Sequence, residues 1–232
     1  FNEPFVSSFV VYEEARHAIE IKDVHVAVAA SHHLLLSHGL AVSVIRQNSP
    51  NADVGITLNL TPQEPASPSI ADRQEAVWKD GYINRWFLDP LVGRGYPQDM
   101  VNGFGSGMEF VQLGDIEKIA VPIDFLGVNY YTRGINRSPK INEEENEPRT
   151  VFPNEEFTEM DWEVYPEGIY KTLGRLYFDY DFPAIYITEN GAAFVDEVGP
   201  DGQVDDPQRL SYIKRHLQQV HRAVEAGVPV KG

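Results

Sequence analysis

Apolar runs of strand length alternate with longer helical patterns along the whole chain, and this alternation limits the fold more than any other feature. Val54, Ile56, Leu58 and Leu60 fall on one side of a strand, with Gly55, Thr57 and Asn59 on the other. Ile123–Tyr131 and Ala184–Glu189 read as two further strands, residues 1–4 as the exit of one, and Val228–Gly232 as the start of another. Between them lie helical patterns. Asp23 is an N-cap for a helix reaching about Arg46, Asp72–Leu88 is stopped by Asp89-Pro90, and Met108–Ile119 is a short helix. Pro166–Tyr180 follows, and a helix opened by Asp206-Pro207 is closed by Gly227. Residues 5–22, 61–69, 93–107 and 133–159 read as loops, the last long and solvated with a glutamate run at 143–147. Strands alternating with helices imply an α/β fold with a parallel sheet.

The chain has 232 residues, no cysteine and a formal net charge of −16. Disulfides and thiolate metal sites are thereby excluded. A chain this acidic is expected to bind neither nucleic acid nor an anionic membrane. No run is expected to approach the ~18 apolar residues of a membrane helix. No leader is visible, and a cytoplasmic location is the expectation. The chain opens at Phe1 and stops on an apparent strand start, so it reads as a segment of something longer. The seven histidines form no known ligand spacing, so no metal site is expected. Trp78 and Trp86 read as core, and Trp162 as a packing residue or a contact for a leaving group.

Strands that end on a carboxylate place it at the rim of a sheet or barrel, where ligands bind. Tyr186-Ile187-Thr188-Glu189-Asn190-Gly191 has that form, and Phe1-Asn2-Glu3-Pro4 is related to it. Two carboxyl groups are what glycoside cleavage needs, one on each side of the scissile bond. Glu189 and Glu3 are the expected pair, facing one another across a sugar, the alternative being two unrelated surface glutamates. Asn2, Asn129, Tyr131 and Asn190 are candidates to orient them or to bind a sugar hydroxyl, and period two puts Asn129 and Tyr131 on one strand face.

The wording around these residues resembles glycoside hydrolase family 1, the β-glucosidase family. Phe-Asn-Glu-Pro at 1–4 and Ile-Thr-Glu-Asn-Gly at 187–191 resemble its two signature motifs. The likeness continues through Gly55–Asn59, Arg85–Leu91, Asp124–Tyr131 and Trp162–Gly168, in the family's order and over nearly the whole chain. It implies a (β/α)8 TIM barrel that is incomplete, running from about the end of strand 4 to the start of strand 8. Residues 1–232 would then be a partial catalytic domain.

The resemblance further implies that Glu189 is the nucleophile and Glu3 the general acid/base of a retaining enzyme acting on terminal β-D-glucosyl, galactosyl or fucosyl residues. Tyr131 would hold Glu189, Asn2 would bond the sugar 2-hydroxyl, and Asn129 would sit in the glycone pocket. Phe5 stands where the family often has Trp, and would line the leaving-group side. No cofactor is implied; the partners are β-glucosides or short β-linked oligosaccharides. Strands 1–3, with the Gln, His and Trp that grip the sugar, have no counterpart here, nor has the Glu-Trp pair of strand 8. Two alternatives stay open: a 6-phospho-β-glycosidase of the same family, and a segment inactive in isolation. A thioglucosidase is disfavoured because Glu3 stands where those enzymes carry Gln.

Overall fold

The computed structural model describes residues 1–17, 20–105, 108–141 and 148–232. The glutamate run at 143–147 lies outside them. The described elements are α1 (Val24–Asn48), β1 (Gly55–Asn59), β2 (Gln63–Pro65), α2 (Ile70–Asp80), α3 (Trp86–Leu91), α4 (Gln98–Phe104), α5 (Asp115–Ile119), β3 (Phe125–Asn129), β4 (Gly134–Asn136), α6 (Glu167–Phe178), β5 (Ile185–Glu189) and α7 (Pro207–Glu225). Two compact units share them. The first holds Phe1–Asn59, Asp80–Val128 and Phe182–Tyr186; the second holds Leu60–Lys79, Asn129–Asp181 and Ile187–Gly232.

Three strands form a sheet in the order β1-β3-β5. In the first unit Asp124 donates its N–H to the Val54 carbonyl (2.8 Å) and Leu126 to Ala184 (2.9 Å). In the second, Leu60 donates to Asn129 and Tyr130 to Glu189, both at 3.0 Å. Partners advance together along each pair, so the strands are parallel. Residues 126–130 are buried without interruption, as in a parallel strand covered on both faces. At Gly55 a Cβ would run into the Phe125 carbonyl and ring, so glycine is what allows that close approach.

In the first unit, α1 starts where its cap predicts: Asp23 accepts the His25 N–H at 2.8 Å. By length and composition α1 could cross a membrane, which differs from the expectation that no run approaches this. Its buried face explains the apolar content otherwise. Ala27, Val28, Leu35 and Val42 turn inward with Ser31, His32 and His38, and the Trp86 indole N–H donates to Ser31 Oγ at 2.8 Å. His32 lies between the Tyr96 hydroxyl (2.9 Å) and Asp115 (3.3 Å). Residues 4–12 are helical rather than a loop, with Val6–Val10 wound as a π-helix. Valines and serines give this stretch little helix propensity of its own. What holds it is tertiary: Phe5 and Phe9 pack on Tyr82 and Phe87, with centroids 4.8–6.2 Å apart.

Several boundaries depart from the sequence reading. The helix entered at Ile70 does not stop at Asp89-Pro90; it passes through a π-turn at Gly81–Arg85 into α3 and ends after Leu91. Pro90 lies inside α3, one residue before its end, so the helix that a proline would interrupt stops directly after it. The glycine-rich loop contains α4. Residues 108–114 are not helical, because Gly114 adopts a left-handed φ of 89° and α5 begins only after it. Trp78 is part-exposed rather than core, whereas Trp86 is fully buried.

In the second unit, β2 and β4 pair in parallel, Gln63 with Gly134 through Pro65 with Asn136, inside stretches expected to be loops. Helix α7 is capped by Asp206, which accepts the Arg209 N–H at 3.1 Å, and is closed by Gly227 at φ 90°. The chain then returns to the sheet, where the Gly232 carbonyl accepts the Ile187 N–H at 2.8 Å.

Burial pushes the His38 imidazole down to about 4. A histidine held neutral by the fold takes up its proton first in the unfolded chain. Stability from this residue is therefore full above pH ~6.5 and is lost as pH falls towards 4. Between pH 7 and pH 5, His38→Leu should lose about 2 kcal/mol less unfolding free energy than the parent, measured by urea denaturation.

Candidate active site

In the first unit, Phe1–Glu3 runs alongside β1. Asn2 bridges Thr57 in parallel, the Glu3 N–H donates to the Thr57 carbonyl (3.0 Å), and the Thr57 N–H donates to Phe1 (3.1 Å). Glu3 is the point where extended chain becomes helix. Its φ is +46°, a left-handed conformation uncommon for a residue with a Cβ. The next turn fixes it, because the Ser7 N–H donates to the Glu3 carbonyl (3.2 Å) and the Ser8 hydroxyl to Pro4 (2.5 Å). Non-glycine residues held in this region cost of order 1–3 kcal/mol and cluster at functional sites. Glu3 is half-buried and Asn2 exposed. Phe5 is buried, only 7% exposed, and stacks on Phe9 at 5.6 Å. Its placement is that of an anchor for the helix that follows Glu3.

In the second unit, Glu189 is the last residue of β5 and Tyr131 lies two residues beyond β3. The Tyr131 hydroxyl donates to Glu189 Oε2. One residue before Glu189 and two before Tyr131, the Thr188 hydroxyl donates to Asn129 Oδ1 at 2.6 Å, and Asn129 is fully buried. Asn190 turns away from this pair: its Nδ2 donates to the Tyr130 carbonyl (2.8 Å) and to the Tyr212 hydroxyl (3.1 Å). Burial pushes the Tyr212 phenol up to about 12, against the opposing pull of the Asn190 bond, so the hydroxyl keeps its proton and donates to the Tyr131 carbonyl (3.2 Å). The Trp162 ring packs 5.2 Å from Tyr131, inclined by 45°.

An ion cluster forms around Arg133, two residues beyond Tyr131. Arg133 grips Glu163 through Nε–Oε2 and Nη2–Oε1, both 2.9 Å, and reaches Glu64 Oε2 at 2.6 Å. Its guanidinium lies 3.8 Å over the Tyr165 ring. Lys171 donates to Glu64 from outside. Burial acts against ionising Glu64, but Lys171 and Arg133 outweigh it and hold its carboxyl below the usual range. The Thr132 hydroxyl donates to the Glu163 carbonyl at 2.8 Å, so the residue after Tyr131 is tied to the residue after Trp162. No signal in the sequence points to Arg133, Glu163, Glu64 or Tyr212, because the side chains they hydrogen-bond lie 22 to 107 residues away. Among the described residues, no three His, Asp or Glu side chains converge as a metal site would require.

Residues 1–232 match the profile of the family described as Glycosyl hydrolase family 1. Beta-glucosidase A of Acetivibrio thermocellus is 38% identical over 234 residues, covering 99% of this chain and 52% of that protein. The bifunctional beta-D-glucosidase/beta-D-fucosidase of Bifidobacterium breve is 35% identical over 253 residues, covering 100% of this chain and 53% of that protein. Among solved structures, a beta-glucosidase from Exiguobacterium marinum superposes with a TM-score of 0.91 at 38% identity, over 100% of this chain and 53% of that one. The Thermotoga maritima family 1 enzyme in complex with glucoimidazole gives 0.88 at 35%, over 100% and 52%. The chain spans about half the length of the relatives it matches. With its parallel strands and intervening helices, the fold is an incomplete (β/α)8 barrel.

Arg133 and Glu163 are only 6% and 5% exposed. Arg133→Met should lower the unfolding free energy by about 3–5 kcal/mol, because it leaves a buried carboxylate without its partner. Lys171→Met, at a side chain 50% exposed, should change it by less than about 1 kcal/mol in the same urea titration.

Proposed function

Because the chain belongs to glycosyl hydrolase family 1, we propose that residues 1–232 form part of one catalytic domain and supply both carboxyl groups of a retaining β-glucosidase. Glu189 is the nucleophile and Glu3 the general acid/base. The observation that carries this reading is the bond from the Tyr131 hydroxyl to Glu189 at the end of β5. A donor fixed on one carboxylate oxygen holds the group in a single orientation.

In the first step a Glu189 oxygen attacks the anomeric carbon as the glycosidic C–O bond breaks. The leaving oxygen takes the Glu3 proton. In the second step the Glu3 carboxylate takes a proton from water, the water oxygen attacks the same carbon, and Glu189 departs ionised. Two inversions leave the configuration unchanged. The left-handed backbone at Glu3 supports its role, since strain of this kind is retained where a side chain must be aimed. Asn2 is assigned to the sugar 2-hydroxyl and Asn129 to the glycone pocket. The relatives' names include beta-glucosidase and beta-D-fucosidase, so terminal β-D-glucosyl and β-D-fucosyl groups are the substrates proposed first, then β-D-galactosyl groups, on short oligosaccharides or aryl glycosides.

The test grafts residues 1–232 into Beta-glucosidase A of Acetivibrio thermocellus in place of the half they match, and assays p-nitrophenyl β-glucoside. Glu3→Ala should lower turnover of a glucoside with a poor leaving group about 10²–10⁴-fold. With azide present, it should release the β-glucosyl azide. Glu189→Ala should lose turnover at least as severely and give the α-azide. Undiminished activity in Glu189→Ala, or the reversed azide stereochemistry, would refute the assignment. Preference for a 6-phosphoglucoside would move the substrate to the phosphorylated class.

A further inference from the structure

Ladder bonding between β3 and β5 reaches the Tyr130 N–H to Glu189 carbonyl bond, at the proposed nucleophile and the residue before its donor Tyr131. Beyond it, one buried hydroxyl continues the tie. We propose that Tyr212 of α7 is a positioning residue for the nucleophile, its hydroxyl clamping the segment after β5 to the segment after β3 so that Tyr131 meets Glu189. The catalytic meaning of this clamp rests on the reading of Glu189 above; the clamp itself does not.

The bonds form a closed set. Asn190, next to Glu189, spends one Nδ2 hydrogen on the Tyr130 carbonyl (2.8 Å) and the other on the Tyr212 hydroxyl (3.1 Å). That hydroxyl donates its own hydrogen bond to the Tyr131 carbonyl (3.2 Å). The backbone that carries the Tyr131 ring is thus fixed from the same atom that fixes the neighbour of Glu189. Tyr212 has no freedom of its own: it is fully buried, packs with Val164 and Phe194, and stacks on His216 at 3.9 Å. Phenylalanine would fill the same space without a polar atom to desolvate, so packing alone does not call for tyrosine here.

The test uses the 232-residue chain with tyrosine labelled by ¹³C at Cζ, whose resonance responds to what the phenol donates to. The Tyr131 signal is identified by its loss in Tyr131→Phe. Its displacement in Glu189→Gln marks the position without a charged acceptor. Tyr212→Phe should carry the Tyr131 signal about half or more of that displacement, with the far-ultraviolet circular dichroism unchanged. Asn190→Ala keeps the Tyr212–Tyr131 bond and should move the signal in the same sense by less. A folded Tyr212→Phe chain whose Tyr131 signal stays in place would show that Tyr212 only packs, and would overturn the proposal. Should Tyr212→Phe not fold, the Asn190→Ala chain decides in the same way. No sugar is present, so a shifted Tyr131 signal together with a failed Glu189 assignment would leave the clamp standing and remove its catalytic meaning.

Discussion

The register between β3 and β5 is the constraint on which the rest of the candidate site depends. Side chains alternate along a strand, so a slip of one residue would turn Tyr131 or Glu189 to the opposite face. The bond from the Tyr130 N–H to the Glu189 carbonyl fixes that register at the strand ends. Once it is set, two side-chain pairs close in sequence, Thr188 to Asn129 and Tyr131 to Glu189. The interaction that looks functional is therefore the last rung of a structural ladder. Its partners need little further ordering, which is what preorganisation means in energetic terms.

Different forces hold the surroundings of the two carboxylates. Around Glu189 they are polar: the Arg133 fork on Glu163, the Thr132 hydroxyl and the Asn190–Tyr212 bonds all converge on residues 130–133 and 162–163. Buried pairs of this kind contribute little net stability but are costly to break, so they fix geometry more than they raise stability. Around Glu3 the support is apolar. A left-handed residue is followed by a helix that exists because Phe5 and Phe9 are buried among Tyr82, Phe87 and Phe104. Ring packing there offsets the backbone strain that Glu3 carries.

Much of this was legible in the sequence where the signal is local. The alternation of Val54, Ile56, Leu58 and Leu60 gave β1 and its buried face; Asp23 and Asp206 gave the starts of α1 and α7, with their side chains on the expected N–H groups. The pairing of Tyr131 with Glu189 came from the family resemblance; strand periodicity placed only Asn129 and Tyr131 on one face. What stayed hidden is non-local. Residues 4–12 have the propensity of a loop and become helical only through contacts with residues some 75 positions later. β2 and β4 are three residues each and find one another across about 70 positions. Asn190 was by residue type a candidate to orient the nucleophile or bind a sugar hydroxyl; that its amide serves the backbone of Tyr130 and the hydroxyl of Tyr212 no residue type could show. A residue's chemistry shows which bonds it can make; only the fold decides which of them are made.

The most direct measurement is covalent trapping. The grafted chain would be treated with an activated 2-deoxy-2-fluoro-β-glucoside, in which the fluorine slows breakdown of a glycosyl-enzyme more than it hinders its formation. Digestion and mass spectrometry would then locate the sugar. The account predicts one fluoroglucosyl group, on the Glu189 carboxylate, in the peptide containing Thr188-Glu189-Asn190. A label on Glu3 or elsewhere, or continued turnover with Glu189 unmodified, would contradict it.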